Sequence, residues 1–516
     1  MNNVVETTSG KVLGSNDQGV LTFRTIPYAA STARANRFLP PRPPMPWSVV
    51  RDCTEFTGKA PQAGLRPPTR PELENFSGSA DPSPETEDCL TVNVWTTDCT
   101  PSAKRPVMVW FHGGAFQYGN ANSPRTTGSR LAAQQDVVVV TVNQRLNIFA
   151  HLDLSQFAGD AYAHSGNAGT LDMVASLQWV RDNIAAFGGD PANVTIFGES
   201  GGGAKVSTLL SMPGAKGLFH RAIIQSGAAV RLRTKERALA LTECVLRHLG
   251  SSAANIAALQ SIPIADLLAA IPPATQALGP SEFPLFDRYP FGPVVDGDVL
   301  PAQPFDPVAC QISADVPLII GDMKDETANF LAVVDRVWDR SLTEPEMRQR
   351  VEAIAGPYAG RVVELYAQLY PHLDPAERLI ATTTDSNFRI RSLVLAQRRA
   401  ALNQGSVWMY SFEWETPVLS GKLKAPHAMD VPFAFNTLDL TNATGGSPEA
   451  QTVAETMSSV WASFARHGRP DHPAIPLWPT YHAETRATLI LDKTCRIEND
   501  PRGEARRLWQ EITGTL

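Results

Sequence analysis

The stretch Ile196-Phe197-Gly198-Glu199-Ser200-Gly201-Gly202-Gly203 holds a serine in a setting suited to nucleophilic attack. A β-branched run, Val194-Thr195-Ile196, precedes it, and the helical-looking segment 204–211 follows. A strand that turns sharply into a helix strains the residue at the apex, so its neighbours must be small. The turn lifts the Ser200 hydroxyl clear of the strand and aims the next backbone N–H, that of Gly201, at whatever Ser200 attacks. A serine hydroxyl is a weak nucleophile. It needs a base, a group that orients the base, and donors for the oxyanion that forms.

The chain supplies candidates for each part. Oxyanion donors are expected from His112-Gly113-Gly114-Ala115-Phe116, which follows an apolar run. Small residues there let the N–H groups of Gly114 and Ala115 approach an oxygen, with Gly201 as the third donor. The acid should follow a later strand. Asp322, Asp325 and Glu326 all lie just after Pro317-Leu318-Ile319-Ile320-Gly321, and the residues alone leave the choice open. The base should come last in chain order. His427, His467, His472 and His482 qualify by position, and His427 stands out because it follows the apolar run 406–412.

These residues need a sheet to position them. Arg105-Pro106-Val107-Met108-Val109-Trp110-Phe111 and Val137-Val138-Val139-Val140-Thr141-Val142 read as strands buried on both faces. Leu171, Val174, Leu177, Val180 and Ile184 recur at helical spacing, and Gly188-Gly189 closes that helix. Further strands are expected at 10–14, 20–23, 89–95, 194–197, 222–225, 317–321 and 406–412. Helices are expected at 128–135, 235–249, 253–270 and across most of 343–402, with a Pro- and Phe-rich loop at 272–293. Strand–helix alternation of this kind argues a mostly parallel sheet with helices on both faces. The expected organisation is one domain, 1–516, with cap-forming insertions at about 230–315 and 330–402 over the sheet's C-terminal edge.

Composition narrows the function classes. The 516 residues are 43% hydrophobic and carry a net charge of −7 with no Lys/Arg run, which argues against a nucleic-acid partner. No run of about 18 apolar residues suggests a membrane span. The N-terminus lacks a basic segment followed by an apolar one, so a cytoplasmic location is expected. Six scattered cysteines form no C-x-x-C pair, so neither a metal site nor a disulfide scaffold is expected. Cys53–Cys89 and Cys89–Cys99 are the pairings left open.

With Ser200, the 112–116 loop and His427 in place, the chain resembles the type-B carboxylesterases, an α/β-hydrolase family. The resemblance is densest in Glu87-Asp88-Cys89-Leu90-Thr91-Val92-Asn93-Val94-Trp95, Val109-Trp110-Phe111-His112-Gly113-Gly114-Ala115-Phe116, Phe187-Gly188-Gly189-Asp190-Pro191 and the elbow, then Gly217-Leu218-Phe219-His220-Arg221-Ala222-Ile223-Ile224-Gln225-Ser226-Gly227. It implies an α/β-hydrolase fold and a serine esterase with Ser200 as nucleophile. It further implies Glu326 of Asp325-Glu326 as the acid and His427, three residues before Asp430, as the base. It also implies that Glu199 holds water or tunes the field near His427, and that Ser226 supports that histidine, the alternative being a small residue packed at a strand end. No cofactor is implied. The expected partner is a small to medium, largely apolar ester, and the expected state is monomer or dimer. An acyltransferase with the same acyl-enzyme and a non-catalytic binding protein are the alternatives. Four positions depart from the family: Gly201 stands where Ala is usual, expected to loosen the turn. Gln144 replaces the usual Tyr, and Ala150-His151 replaces Gly-Phe. Without a cysteine before Pro61-Gln62, Cys89 lacks the partner it has in secreted members. Phe116, Phe286, Tyr289, Phe291 and Phe330 are expected near the substrate gorge. Arg231 and Arg233 read as a solvated helix start, with contact to a carboxylate as the alternative.

Overall fold

The apolar runs of the sequence become the strands of one large sheet. The structure is a computed structural model that describes residues 3–515 apart from 65–68, 75, 252–254 and 280–288. Eleven strands form the main sheet. They are β1 (Ser15–Asp17), β2 (Val20–Pro27), β3 (Thr91–Thr96), β4 (Arg105–Phe111), β5 (Val138–Val142), β6 (Gly189–Glu199), β7 (Arg221–Gln225), β8 (Leu318–Met323), β9 (Val407–Phe412), β10 (Ala487–Leu491) and β11 (Arg496–Asn499). Their spatial order is β11-β10-β9-β8-β7-β6-β4-β5-β3-β2-β1. The stretch from β10 to β5 is parallel throughout, and antiparallel strands close both edges.

Successive side chains of a strand face opposite sides of a sheet. Val107, Val109 and Phe111 of β4 therefore enter one core, with Ile196, Ile224 and Ile320. Met108 and Trp110 enter the other, with Phe197, Ile223 and Ile319. A strand covered on both faces is apolar at nearly every position, which is why β4 and β5 read as near-continuous runs; an exception, Thr141 of β5, donates its hydroxyl to Ala121 O at 2.9 Å.

Several expected boundaries shift. β6 begins at Gly189, before the expected 194–197, because its early residues pair with Arg105 across a register shift. The helix expected at 204–211 starts at Gly201 and spans Gly201–Leu209. The single helix expected at 253–270 is two, Ile256–Ser261 and Ile264–Ala269. Ile271–Leu278 is helical where a loop was expected, because Pro272 and Pro273 sit in its first turn, where a missing N–H costs nothing. Phe286 lies outside the described residues. The 343–402 segment holds Glu344–Ala355, Ala359–Leu369, Pro375–Thr384, a π-helical turn Asp385–Arg389, and Ile390–Ala400. All six cysteines are free thiols. Among the described residues, no helix is long and apolar enough to cross a membrane.

The topology brings four chain segments to the C-terminal edge of the parallel strands. The loop 112–116 follows β4, Ser200 follows β6, Glu326 lies just past β8, and His427 follows β9. Ligands of open α/β sheets bind outside this edge.

Candidate active site

Ser200 stands at the apex between β6 and the helix Gly201–Leu209, with φ 57° and ψ −122°. A non-glycine residue in so sparsely populated a region costs about 1–3 kcal/mol and persists only where its surroundings impose it. Here they do. The Ser200 N–H donates to the Gln225 carbonyl at 2.8 Å, and the Ser200 carbonyl accepts from Ala204 N–H at 3.0 Å. Helix and strand also approach closely at Gly202, where a Cβ would overlap the Phe111 carbonyl oxygen. The Ser200 side chain caps no N–H of the helix it precedes.

The 112–116 loop turns back tightly onto this helix. Its Gly114 carbonyl accepts from the N–H groups of Gln117 (2.8 Å) and Tyr118 (3.1 Å). Ala115 and Phe116 adopt positive φ of 51° and 64°. The expected loosening at Gly201 is not what the structure shows. A Cβ at 201 would overlap the backbone nitrogen of Ala115, so glycine lets the loop close against the helix start. Gly201→Ala must push the 112–116 backbone outward. We expect kcat for a nitrophenyl ester to fall roughly 10- to 100-fold, with a melting temperature lowered by only a few degrees. Steady-state kinetics and a thermal melt check both.

His427 is buried, and its Nδ1 lies 2.5 Å from Glu326 Oε2. The His427 N–H also donates to the Glu326 carbonyl, at 3.3 Å. Glu326 is held in turn by the Met323 N–H, which donates to Oε1 at 2.9 Å. The other acids point elsewhere. Asp325 Oδ2 accepts from Ala425 N–H at 3.3 Å, and Asp322 is fully buried with neither oxygen bonded. His467 and His482 are exposed, and His472 donates or accepts only locally, with Ala474 N–H 3.2 Å from its Nδ1. Glu326 and His427 are thus the acid and the imidazole that the fold brings together.

On its other side, His427 Nε2 lies 3.2 Å from Glu199 Oε1, an ion-pair distance without hydrogen-bond alignment. Burial alone would lower the pKa of His427, but the Glu199 and Glu326 carboxylates outweigh it and raise it to about 9. Burial pushes Glu199 up to about 8, against the pull of His427. Removing charges from water favours their neutral forms, and opposite charges nearby restore the charged ones.

Ser226 does not contact His427 through its hydroxyl. Its Oγ is buried without a partner, and only its backbone N–H is engaged, donating to Gly321 O at 2.8 Å. Behind the site lies Asp430 instead. Its Oδ2 accepts from Gln225 Nε2 and from Tyr410 Oη, both at 2.9 Å.

Sequence reasoning missed two neighbours of the site. Phe388, in the π-helical turn, packs on His427 with ring centroids 5.0 Å apart, and Phe330 does the same from the other segment. The two phenylalanines stack on each other at 6.2 Å. A helical period cannot place Phe388, because the π-turn shifts the phase. Lys205 is the second, a fully buried cation on the helix after the elbow. A lone Lys between Ala204 and Val206 was its signal.

Of the other expected pocket residues, Phe116 packs edge-on against His151 at 5.7 Å, while Phe291 sits in the apolar cluster around Leu241 and Val245. A small pocket is lined by His151, Arg233, Arg237, Phe291 and neighbours. Arg233 is buried, contrary to the solvated reading. Its Nε donates to Pro290 O at 2.7 Å, and burial, followed by the nearby Arg237, lowers it to about 9. Arg231 pairs with Asp306 at 2.6 Å.

Residues 1–509 match the Carboxylesterase family. The chain is 39% identical over 507 residues to para-nitrobenzyl esterase of Bacillus subtilis, covering 98% of each chain. It is 31% identical to phenmedipham hydrolase of Pseudarthrobacter oxydans, covering 96% of this chain and 97% of the relative. A crystal structure of a Geobacillus stearothermophilus carboxylesterase superposes with a TM-score of 0.83 at 38% identity, covering 98% of this chain and all of that one. The expected α/β-hydrolase architecture therefore holds. The chain belongs to the carboxylesterase family and is an enzyme that hydrolyses ester bonds.

Proposed function

We propose that the protein hydrolyses carboxylic esters through an acyl-enzyme on Ser200, with His427 as base and Glu326 as the group that orients it. The observation that carries this reading is the 2.5 Å contact between His427 Nδ1 and Glu326, at the same sheet edge as the strained serine. Glu326 fixes the tautomer that leaves Nε2 free of its proton and stabilises the imidazolium that forms when Nε2 takes the Ser200 proton. The N–H groups of Gly114, Ala115 and Gly201 receive the developing oxyanion. His427 then protonates the leaving alcohol, and water repeats the sequence on the acyl group.

In this reading the chain is one catalytic unit, with segments 230–315 and 330–402 as its cap. Support comes from Phe330 and Phe388, which the second segment lays on the His427 ring. An apolar wall there suits small to medium, largely apolar esters, para-nitrobenzyl esters among them. A panel of nitrophenyl esters of increasing acyl length, with a nitrobenzyl ester beside it, tests the reading. Hydrolysis of the apolar members is expected. Failure to hydrolyse any of them contradicts it.

A base works only when neutral, so kcat/KM of the free enzyme should climb with pH up to the His427 value, about 9. Glu199→Gln removes a carboxylate that favours the imidazolium. The neutral imidazole then persists to lower pH, and the acid limb of the profile should move down by about one pH unit or more. A kcat/KM profile of both forms between pH 5 and 10 checks this. An unmoved limb contradicts the role given to Glu199.

A further inference from the structure

Lys205 is the least expected side chain near the site. It is fully buried, yet among the described residues no carboxylate pairs with it. Lysine is almost never fully buried without a charge partner, and an unpaired buried charge is costly. Its Nζ donates instead to the His112 carbonyl at 2.7 Å. With the Gln144 amide oriented to suit its neighbours, Nζ also donates to Gln144 Oε1 at 2.8 Å. Gln144 then donates to Val142 O at 3.2 Å and meets His112 Nε2 at 2.9 Å. With Nε2 donating to Gln144 Oε1, Nδ1 of the neutral ring is an acceptor; it faces Nζ at 3.5 Å and lies 2.7 Å from the Gly113 carbonyl oxygen. Nζ also sits over the Phe116 ring, 5.8 Å from its centroid. Every one of these contacts is to the 112–116 loop or to the residue that braces it.

Position on the helix gives these contacts a purpose. Gly201 and Lys205 are four residues apart in Gly201–Leu209 and so share one helix face. Gly201 meets the loop at Ala115, and Lys205 meets it at His112. One helix therefore grips the loop at both ends. We propose that Lys205 is a positioning residue of the oxyanion site, which clamps the His112–Ala115 backbone against the helix start. Burial depresses Lys205, while burial and then Lys205 depress His112. Gln144, a departure from the family noted above, supplies the acceptor that keeps Nζ in place.

The inference rests on the esterase reading, and the experiment separates the two. Wild type, Lys205→Met and Gln144→Met are compared on nitrophenyl acetate and with a trifluoromethyl ketone, whose hemiketal oxyanion occupies the donor site. Met fills the lysine's space without charge or donor. The clamp predicts that Lys205→Met lowers kcat roughly 10- to 100-fold with KM within about threefold, and weakens the ketone in proportion. Its melting temperature should change by only a few degrees, because removing a desolvated amine offsets the loss of its hydrogen bonds. Gln144→Met should show a smaller loss with the same signature, and it carries the test if Lys205→Met does not fold. Unchanged kcat and ketone affinity in the folded variants overturn the clamp while leaving the esterase reading intact. A wild-type enzyme that hydrolyses no ester overturns the esterase reading itself.

Discussion

Ser200→Ala should leave ester hydrolysis about 10⁴- to 10⁶-fold below wild type, with KM little changed. Of the nearby hydroxyls, Ser207 donates to the Gly227 carbonyl at 3.2 Å, Thr208 to the Ala204 carbonyl at 2.8 Å, and Ser226 Oγ is buried without a partner. In the proposed mechanism the residual rate should still exceed that in water, because the N–H groups assigned to the oxyanion, those of Gly114, Ala115 and Gly201, are unchanged. The variant should fold normally. The Ser200 side chain caps nothing, and its backbone bonds to Gln225 and Ala204 survive the substitution. The burst of nitrophenol that marks acyl-enzyme formation should vanish with the slow turnover. Stopped-flow traces and a thermal melt of the purified variant check both halves.

His427→Ala should cost nearly as much, and the double variant Ser200→Ala/His427→Ala no more than either alone. Residues that act as one unit are strongly non-additive, because once the nucleophile is gone the base has nothing to activate. Additive losses, with the double variant far below both singles, would show that His427 acts independently of Ser200. The single variant carries a second consequence. Glu326 and Glu199 face His427 from opposite sides, at 2.5 and 3.2 Å, and both are buried. Without the imidazole, two buried carboxylates face each other across the vacated space, and at least one must take up a proton. The variant should therefore be less stable at alkaline pH than at neutral pH, relative to wild type. Thermal melts at pH 7 and pH 9 read this directly.

Much of this site was legible in the chain because its parts sit at strand ends. β4 and β5 announce themselves by near-continuous apolar runs, and the elbow by the glycines around its serine, since a strand covered on both faces has little room for polar residues. His427 stood out by its place after β9. The acid did not. Asp322, Asp325 and Glu326 are equivalent to any local rule, and only the resemblance favoured Glu326. The structure separates them by direction: Glu326 turns to His427, while Asp325 turns to the Ala425 N–H. Phe388 was hidden by the π-turn Asp385–Arg389, whose phase no 3.6-residue period predicts. Gly201 was misread because a family comparison sees a missing methyl group. The structure sees the Ala115 nitrogen in its place. Lys205 shows the reverse case, where one residue out of keeping with its apolar helix carried the signal.

The central claim is that the ester's acyl group passes through Ser200 Oγ. A phosphonofluoridate reagent reacts at the same oxygen, loses fluoride and leaves a stable phosphonyl serine. Intact-protein mass spectrometry followed by peptide mapping should find one adduct per chain. It should lie on the peptide that contains Gly198-Glu199-Ser200-Gly201, form in step with loss of esterase activity, and be absent from Ser200→Ala. Complete inactivation with the adduct on another residue, or hydrolysis that persists once Ser200 is fully modified, would contradict the account.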